Sequence, residues 1–327
     1  MRPVIDYEFT GGGRLEALAV LARFYPQNSP KRHLLRLLNA VNQLTVRRKP
    51  SYDGPVAAAV ERLPRPAPGN ARAVLSHKIR ATERVYAFDI DRTGHASIVW
   101  KIALTRDAAK GLEKEKSALE FIAEKTPFQV PRLLRYCGWD GGGMIATTAA
   151  AKPFLLHKKG TRLQPALFDA IGGLSGETNS LSLTEFDDDP WRLTCGAMTN
   201  ERLRNVISDA GDLAQLDFCS CHGDLGSENI LSINRGRAVS DFYLVDWEHF
   251  SQSAPALVDE VGYWLGAHHR SFKGWRTTSA PALTDLFLRW AETVKGGRFA
   301  SVVALIYLAS RGIDLAQMLI GSPVERD

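Results

Sequence analysis

The chain has 327 residues, 45% of them hydrophobic and 24% charged, with a formal net charge of +5. Such a composition is globular and the length suits one large two-lobed unit or two modest domains, which excludes disordered and collagen-like chains. No stretch reaches the roughly 18 to 20 apolar residues of a membrane span, and the N-terminus lacks a basic segment leading into an apolar core, so a soluble cytoplasmic protein is expected.

The positive charge sits at one end: residues 1–80 hold 14 lysines and arginines against 5 acids, net +9, and the rest holds 27 against 31, net −4. Four cysteines are too few for a disulfide framework. Cys219 and Cys221 are spaced CxC, unlike the CxxC pairs of metal motifs, and read as buried apolar residues.

Ser29 and Pro30 read as the N-cap and first residue of a helix over KRHLLRLLNAVNQL, with Leu34, Leu37, Leu38, Val41 and Leu44 at helical spacing. Its basic residues, Lys31, Arg32 and Arg36 followed by Arg47, Arg48 and Lys49, are expected on a solvated face; weak contact with a membrane surface or polyanion through residues 31–49 is the alternative. No nucleic-acid motif accompanies them. Residues 50–71 carry five prolines around a short alanine-rich helix, a linker pattern ending near residue 70.

Strand-like runs follow at 73–79, 84–91 and 96–104, the last two separated by the turn Asp91-Arg92-Thr93-Gly94, and three consecutive strands imply an antiparallel sheet. A helix is expected from Asp107 to Lys125, then a strand pair around RLLRYCGW and MIATT joined by Asp140 and three glycines. Beyond it helices prevail, at about 200–216, 256–267, 282–295 and 299–320. The fold class is thus α+β with segregated parts: a basic helical extension and linker (1–70), an N-terminal lobe (71–151) and a mostly helical C-terminal lobe (152–327). A cleft between lobes is the natural ligand site.

The chemistry concentrates in FCSCHGDLGSENILSINRGRAVSDFYLVDWEHF, residues 218–250. Asp224 stands two residues after His222, Asn229 opens the apolar run Ile230-Leu231, and Asp246 ends the apolar run Phe242 to Val245, with Ser232 to Asp241 as the intervening turn. Phosphoryl transfer from ATP needs an aligned hydroxyl, a group to orient it and take its proton, and magnesium on the phosphates. Asp224 suits the second need, and Asn229 with Asp246 offers the hard oxygens magnesium prefers. A buried Asp-Asn-His network that orders a loop is the plain alternative.

Upstream, Lys101 interrupts the apolar strand IVWKIAL and needs an anionic partner. On the next helix Leu112, Glu115, Leu119 and Ile122 fall on one stripe, so Glu115 needs a cation. A Lys101–Glu115 pair satisfies both and aims the lysine at α- and β-phosphates; the bland alternative has Lys101 snorkelling to solvent and Glu115 at the helix edge.

With HGDLGSENIL, LVDWE, the lysine of VWKIAL and KEKSALEFI leading to VPRLL, the chain resembles the aminoglycoside phosphotransferase and choline kinase superfamily over about residues 73–270. The resemblance implies a two-lobed protein-kinase-like fold with Asp224 as catalytic aspartate, Asn229 and Asp246 on magnesium, and Lys101 and Glu115 as the phosphate-holding pair. It also implies structural roles for His222 and Asp259, a hinge at 147–153 that meets adenine, ATP and Mg2+, and a small-molecule hydroxyl acceptor; because the resemblance to the aminoglycoside acceptor region fades after residue 150, a sugar or carbohydrate-containing metabolite is preferred over an aminoglycoside.

The sequence departs from that pattern in three places. No glycine occurs from Ala71 to Asp91, so the loop over the phosphates falls to residues 77–85; Gly226 stands where many members carry histidine; and Glu228 adds a charge beside the metal position. The acidic run EFDDD (185–189) is expected to be a solvated loop. A nucleotide-binding pseudokinase and a membrane- or polyanion-binding protein are the rival readings.

Overall fold

The computed structural model describes residues 55–68, 70–76, 83–91, 95–150, 155–157, 162–176, 178–182, 215–272 and 280–310. The expected basic helix at 31–49, the segment 77–82, the acidic run 185–189 and most of the expected helix 200–216 lie outside these residues.

Strands β1 (Ala71–Ser76), β2 (Arg84–Ile90), β3 (Ala96–Ala103), β4 (Leu133–Trp139) and β5 (Gly142–Thr148) form one antiparallel sheet in the order β1-β2-β3-β5-β4. Alternation gives it two apolar faces. On the outer face Val85, Ala87, Trp100, Ile102, Met144 and Ala146 pack with Ala59 and Leu63, so helix α1 (Pro55–Glu61), the alanine-rich segment of the proline-rich stretch, covers the sheet. Arg72 fastens this layer: it holds Asp89, its β1–β2 register partner, through Nε (2.6 Å) and Nη2 (3.0 Å), and donates to the Pro64 carbonyl. Trp100 Nε1 also donates to Asp89, so the buried carboxylate is satisfied on both oxygens.

The inner face receives helix α2 (Arg106–Ile122), whose first turn is capped by Thr105 Oγ1 accepting from Ala108 N at 3.3 Å. Its stripe of Leu112, Glu115, Leu119 and Ile122 is buried, and the apolar members join Ile145 of the sheet to Leu225, Ile230, Phe242, Leu244 and Trp247 of the second part in one continuous core. After α2 the backbone of Gln129 donates to Phe242 O and accepts from Leu244 N, at 2.8 and 2.9 Å. The link leaving α2 is therefore stitched to the strand that leads to Asp246.

The second part holds β6 (Leu155–Leu156), α3 (Pro165–Gly172), β7 (Asn179–Ser182), β8 (Gln215–Cys221), β9 (Ile230–Ser232), β10 (Phe242–Leu244), β11 (Ser251–Pro255), α4 (Val258–Phe272), α5 (Ala280–Ala291) and α6 (Ala300–Ser310). Its strands form two three-stranded sheets, β10-β9-β6 and β11-β8-β7. Gln215 and Leu216 were expected at the end of a helix; they begin β8, because Leu216, Phe218 and Ser220 turn inward on a period of two, which a strand accommodates and a helix does not. The C-terminal core packs Phe218 and Cys221 against Val261, Leu265, Val303 and Ile306 of α4 and α6. Cys221 is buried and Cys219 partly buried, and burial pushes Cys219 up to about 12, so both behave as packing groups. No helix among the described residues is long and apolar enough to cross a membrane.

Candidate active site

Strand alternation turns Trp100 and Ile102 outward and aims Lys101 at α2. There its ammonium meets Glu115 Oε1 and Oε2 at 2.7 and 2.8 Å and Asp246 Oδ1 at 2.6 Å. Lys101 is 8% and Glu115 1% exposed, so neither charge has water to fall back on. Burial opposes the ammonium, but Glu115 and Asp246 outweigh it and hold the Lys101 pKa above its ordinary value. Burial raises Glu115, with Lys101 opposing; for Asp246 burial is overcome by Lys101 and the pKa falls. Lys101 and Asp246 are ionised at neutral pH.

The loop between β8 and β9 carries His222, Asp224 and Asn229. Its geometry is fixed from three sides. Asp259, in the first turn of α4, accepts the His222 and Gly223 backbone N–H groups at 2.7 and 2.9 Å. Gly223 has φ +78°, a left-handed conformation glycine adopts freely, and a Cβ there would run into the His249 carbonyl. His222 is fully buried 4.5 Å from the Trp247 ring, with Nε2 donating to Val245 O at 3.0 Å and Nδ1 accepting from Asp224 N at 3.3 Å. Burial lowers the His222 pKa to about 4, so the ring is neutral and serves as a bridge between the loop and the strand end.

Asn229 is buried, and its Nδ2 donates to the Asp224 carbonyl at 2.8 Å, which leaves the amide oxygen as the end able to meet a cation. Val245 N donates to Asn229 O at 3.0 Å, so the backbone brings Asn229 beside the residue preceding Asp246. Asp246 itself has φ +70°, a conformation that costs a non-glycine residue about 1–3 kcal/mol and persists only where neighbours enforce it. Lys101 and the Asn229 backbone are two of those neighbours. Glu228 folds over Gly226, where a Cβ would come within 2.8 Å of its carboxylate, so the missing side chain at 226 makes room for the added charge at 228.

Residues from both parts thus converge. All five candidate residues belong to one constellation: Lys101 bonds Glu115 and Asp246, while Asn229 bonds Asp224 and is tied to the Asp246 strand. In the expected hinge, Thr148 O accepts from Tyr243 Oη and Ala149 N donates to Ser97 O, while residues 151–153 lie outside the described set. One pair escaped the sequence reading: Arg84, at the start of β2, forms an ion pair with Glu248, two residues beyond Asp246. Nothing in the spacing signals it, because its members are more than 160 residues apart.

A concavity of about 550 Å³ lies among α3, α4 and the end of α5, walled by Phe168, Tyr263, Trp264 and Trp290 with Asp169 and Glu260 among its polar groups. Burial, with Asp259 and Asp169 nearby, raises Glu260 to about 7. Tyr263 is pushed up to about 12 by burial and by the charge of Glu228, and it shares a core cluster with Leu225 of the Asp224–Asn229 loop.

A sheet lysine paired to a helix glutamate, over a part that holds a loop aspartate, an asparagine and a strand-end aspartate, is the two-lobed kinase-like arrangement of an α+β fold. Solved structures similar to the chain include an aminoglycoside 3'-phosphotransferase of type VIII, at 16% identity over 79% of this chain and 100% of that one, with a TM-score of 0.45. An aminoglycoside phosphotransferase from Streptomyces rimosus matches at 15% identity, 86% and 96% coverage and a TM-score of 0.37. A spectinomycin phosphotransferase in complex with ADP and spectinomycin matches at 12% identity, 75% and 82% coverage and a TM-score of 0.35. No family model and no curated protein matches the chain.

Proposed function

We propose that the chain is an ATP-dependent phosphotransferase acting on a hydroxyl of a small molecule. The observation that carries this reading is the buried Lys101, held between Glu115 and Asp246, with Asp246 following the residue whose backbone N–H bonds Asn229. A lysine fixed by two carboxylates is a stationary positive charge for α- and β-phosphate oxygens. Asp246, kept ionised, and Asn229, whose amide nitrogen is engaged by the Asp224 carbonyl, would hold a magnesium ion, which would supply charge neutralisation on the phosphates. Asp224 orients the acceptor hydroxyl and takes its proton as the oxygen bonds to the γ-phosphorus and the bond from that phosphorus to the β-phosphate oxygen breaks.

For the acceptor, a sugar or carbohydrate-containing metabolite is the reading we favour. Its support is the pocket of aromatic side chains and carboxylates: the half-buried Phe168 and Trp290 offer apolar surface for a ring, and Asp169 and Glu260 accept hydrogen bonds from hydroxyls. The test is a screen of hydroxylated metabolites for ADP release, with Asp246→Ala as the blank. Asp224→Asn is expected to lower turnover about 10²–10⁴-fold while retaining nucleotide binding. Metal-dependent ATP binding without turnover on any acceptor would transfer the reading to a nucleotide-binding interaction module, and turnover unchanged in Asp224→Asn would refute the role of that residue.

A further inference from the structure

The Lys101 constellation is one of two parallel rungs, and the second has no role in the reading above. Both rungs join the same three elements: the sheet, helix α2 and the segment after β10. In the first, Lys101 meets Glu115 and Asp246. In the second, Arg84 meets Glu248, two residues beyond Asp246, and the pair lies over Gly111, one helical turn before Glu115. Arg84 and Lys101 share a sheet face, since Tyr86, two residues from Arg84, is the register partner of Lys101.

The side chains of the second pair are mostly buried, 19% and 14% exposed, so this is no solvated surface contact. Gly111 is what admits them. A Cβ on it would stand 2.5 Å from Arg84 Nη2 and 2.8 Å from Glu248 Oε2, and both are the ends of flexible side chains. Added bulk at 111 would therefore displace the ion pair and leave the helix backbone in place.

We propose that Arg84 and Glu248 are positioning residues, whose ion pair across the lobes clamps the Asp246 segment to the start of β2 and holds Asp246 in its left-handed conformation for the metal. The inference rests on the phosphotransferase reading. Arg84 lies near the C-terminal end of residues 77–85, the stretch expected over the phosphates. A pair reaching the strand-end aspartate indirectly affects metal use more than the proton transfer at Asp224.

The experiment compares wild type with Gly111→Ala, Arg84→Gln, Glu248→Gln and the Arg84→Gln/Glu248→Gln double variant. Nucleotide binding is read with a fluorescent ATP analogue as magnesium is titrated, alongside melting temperature. Each single variant is expected to need about 10- to 100-fold more magnesium for half-maximal binding, with little change in metal-free nucleotide affinity. Glu248 also meets His249 Nε2 at 3.4 Å, so the double variant is expected to be no worse than Glu248→Gln, while Arg84→Gln removes only the shared pair. Gly111→Ala replaces a helix-interior glycine by the best helix former and removes neither charge, so its melting temperature is expected to fall less than that of the charge-removing variants. That separates loss of positioning from loss of stability. Wild-type protein with no magnesium-dependent nucleotide binding would sink the phosphotransferase reading and the inference together. Wild-type magnesium dependence that the variants leave unmoved, or a loss that tracks melting temperature alone, would sink the inference only.

Discussion

Replacing Lys101 by methionine keeps the length and apolar stem of the side chain and deletes only the charge. Glu115, 1% exposed within a stripe of Leu112, Leu119 and Ile122, then has no cation among its described contacts, and Asp246 loses the same partner. Breaking a buried pair from one side costs about 3–5 kcal/mol. With a urea dependence of about 3 kcal/mol per molar, the apparent unfolding midpoint falls by about 1–1.7 M. The loss depends on pH, and its sign follows from the proton balance. Burial already lifts the folded Glu115 above its ordinary value, and without Lys101 it rises further, so the folded variant binds a proton that the unfolded chain releases. The deficit is therefore small near pH 4.5 and grows as pH rises toward 8, at about 1.4 kcal/mol for each unit by which the folded pKa exceeds the unfolded one. Lys101→Met/Glu115→Leu removes both charges and is expected to recover most of the stability, while phosphate holding stays lost. Urea titrations at pH 5 and pH 8 decide it: a deficit below about 1 kcal/mol at pH 8, or one equal at both pH values, would refute a buried, mutually dependent pair.

Glu260 gives a second pH test. Its folded pKa of about 7 lies above the unfolded value near 4.5, so the carboxylate's stability contribution is intact below pH 4.5 and lost as pH rises through 7. Glu260→Gln is expected to raise stability by about 2–3 kcal/mol at pH 8 and by little at pH 5; a gain of equal size at both pH values would contradict the assignment. Gly223→Ala puts a side chain at φ +78° against the His249 carbonyl. It should cost at least about 2 kcal/mol and several degrees of melting temperature, and an unchanged melting curve would show that the loop relaxes freely.

The Lys101 and Glu115 signals were strong in the sequence because each is a charge breaking an apolar period, in a strand and on a helix stripe. Period and polarity are local properties. They also located the sheet and α2 to within a few residues, since Val85, Ala87 and the Leu112–Ile122 stripe bury as their spacing dictates. The spacing of Asp224, Asn229 and Asp246 likewise marked one loop and one strand end. Strand β8 was harder, because its alternation follows a segment of helical composition and the competing period hid it.

What the sequence by itself determined is which residues demand partners: a lysine in an apolar strand, a glutamate in an apolar stripe, an aspartate closing a strand. Which partner each receives was decided only by the tertiary structure, because the choice depends on how distant elements meet. Lys101 takes Asp246 as well as Glu115, across 145 residues, once Gln129 has stitched the exit of α2 to β10. Arg84 finds Glu248 only because Gly111 leaves a gap one turn from Glu115. Neither distance nor a gap is written in local periodicity; both come from the way the lobes close on a shared core.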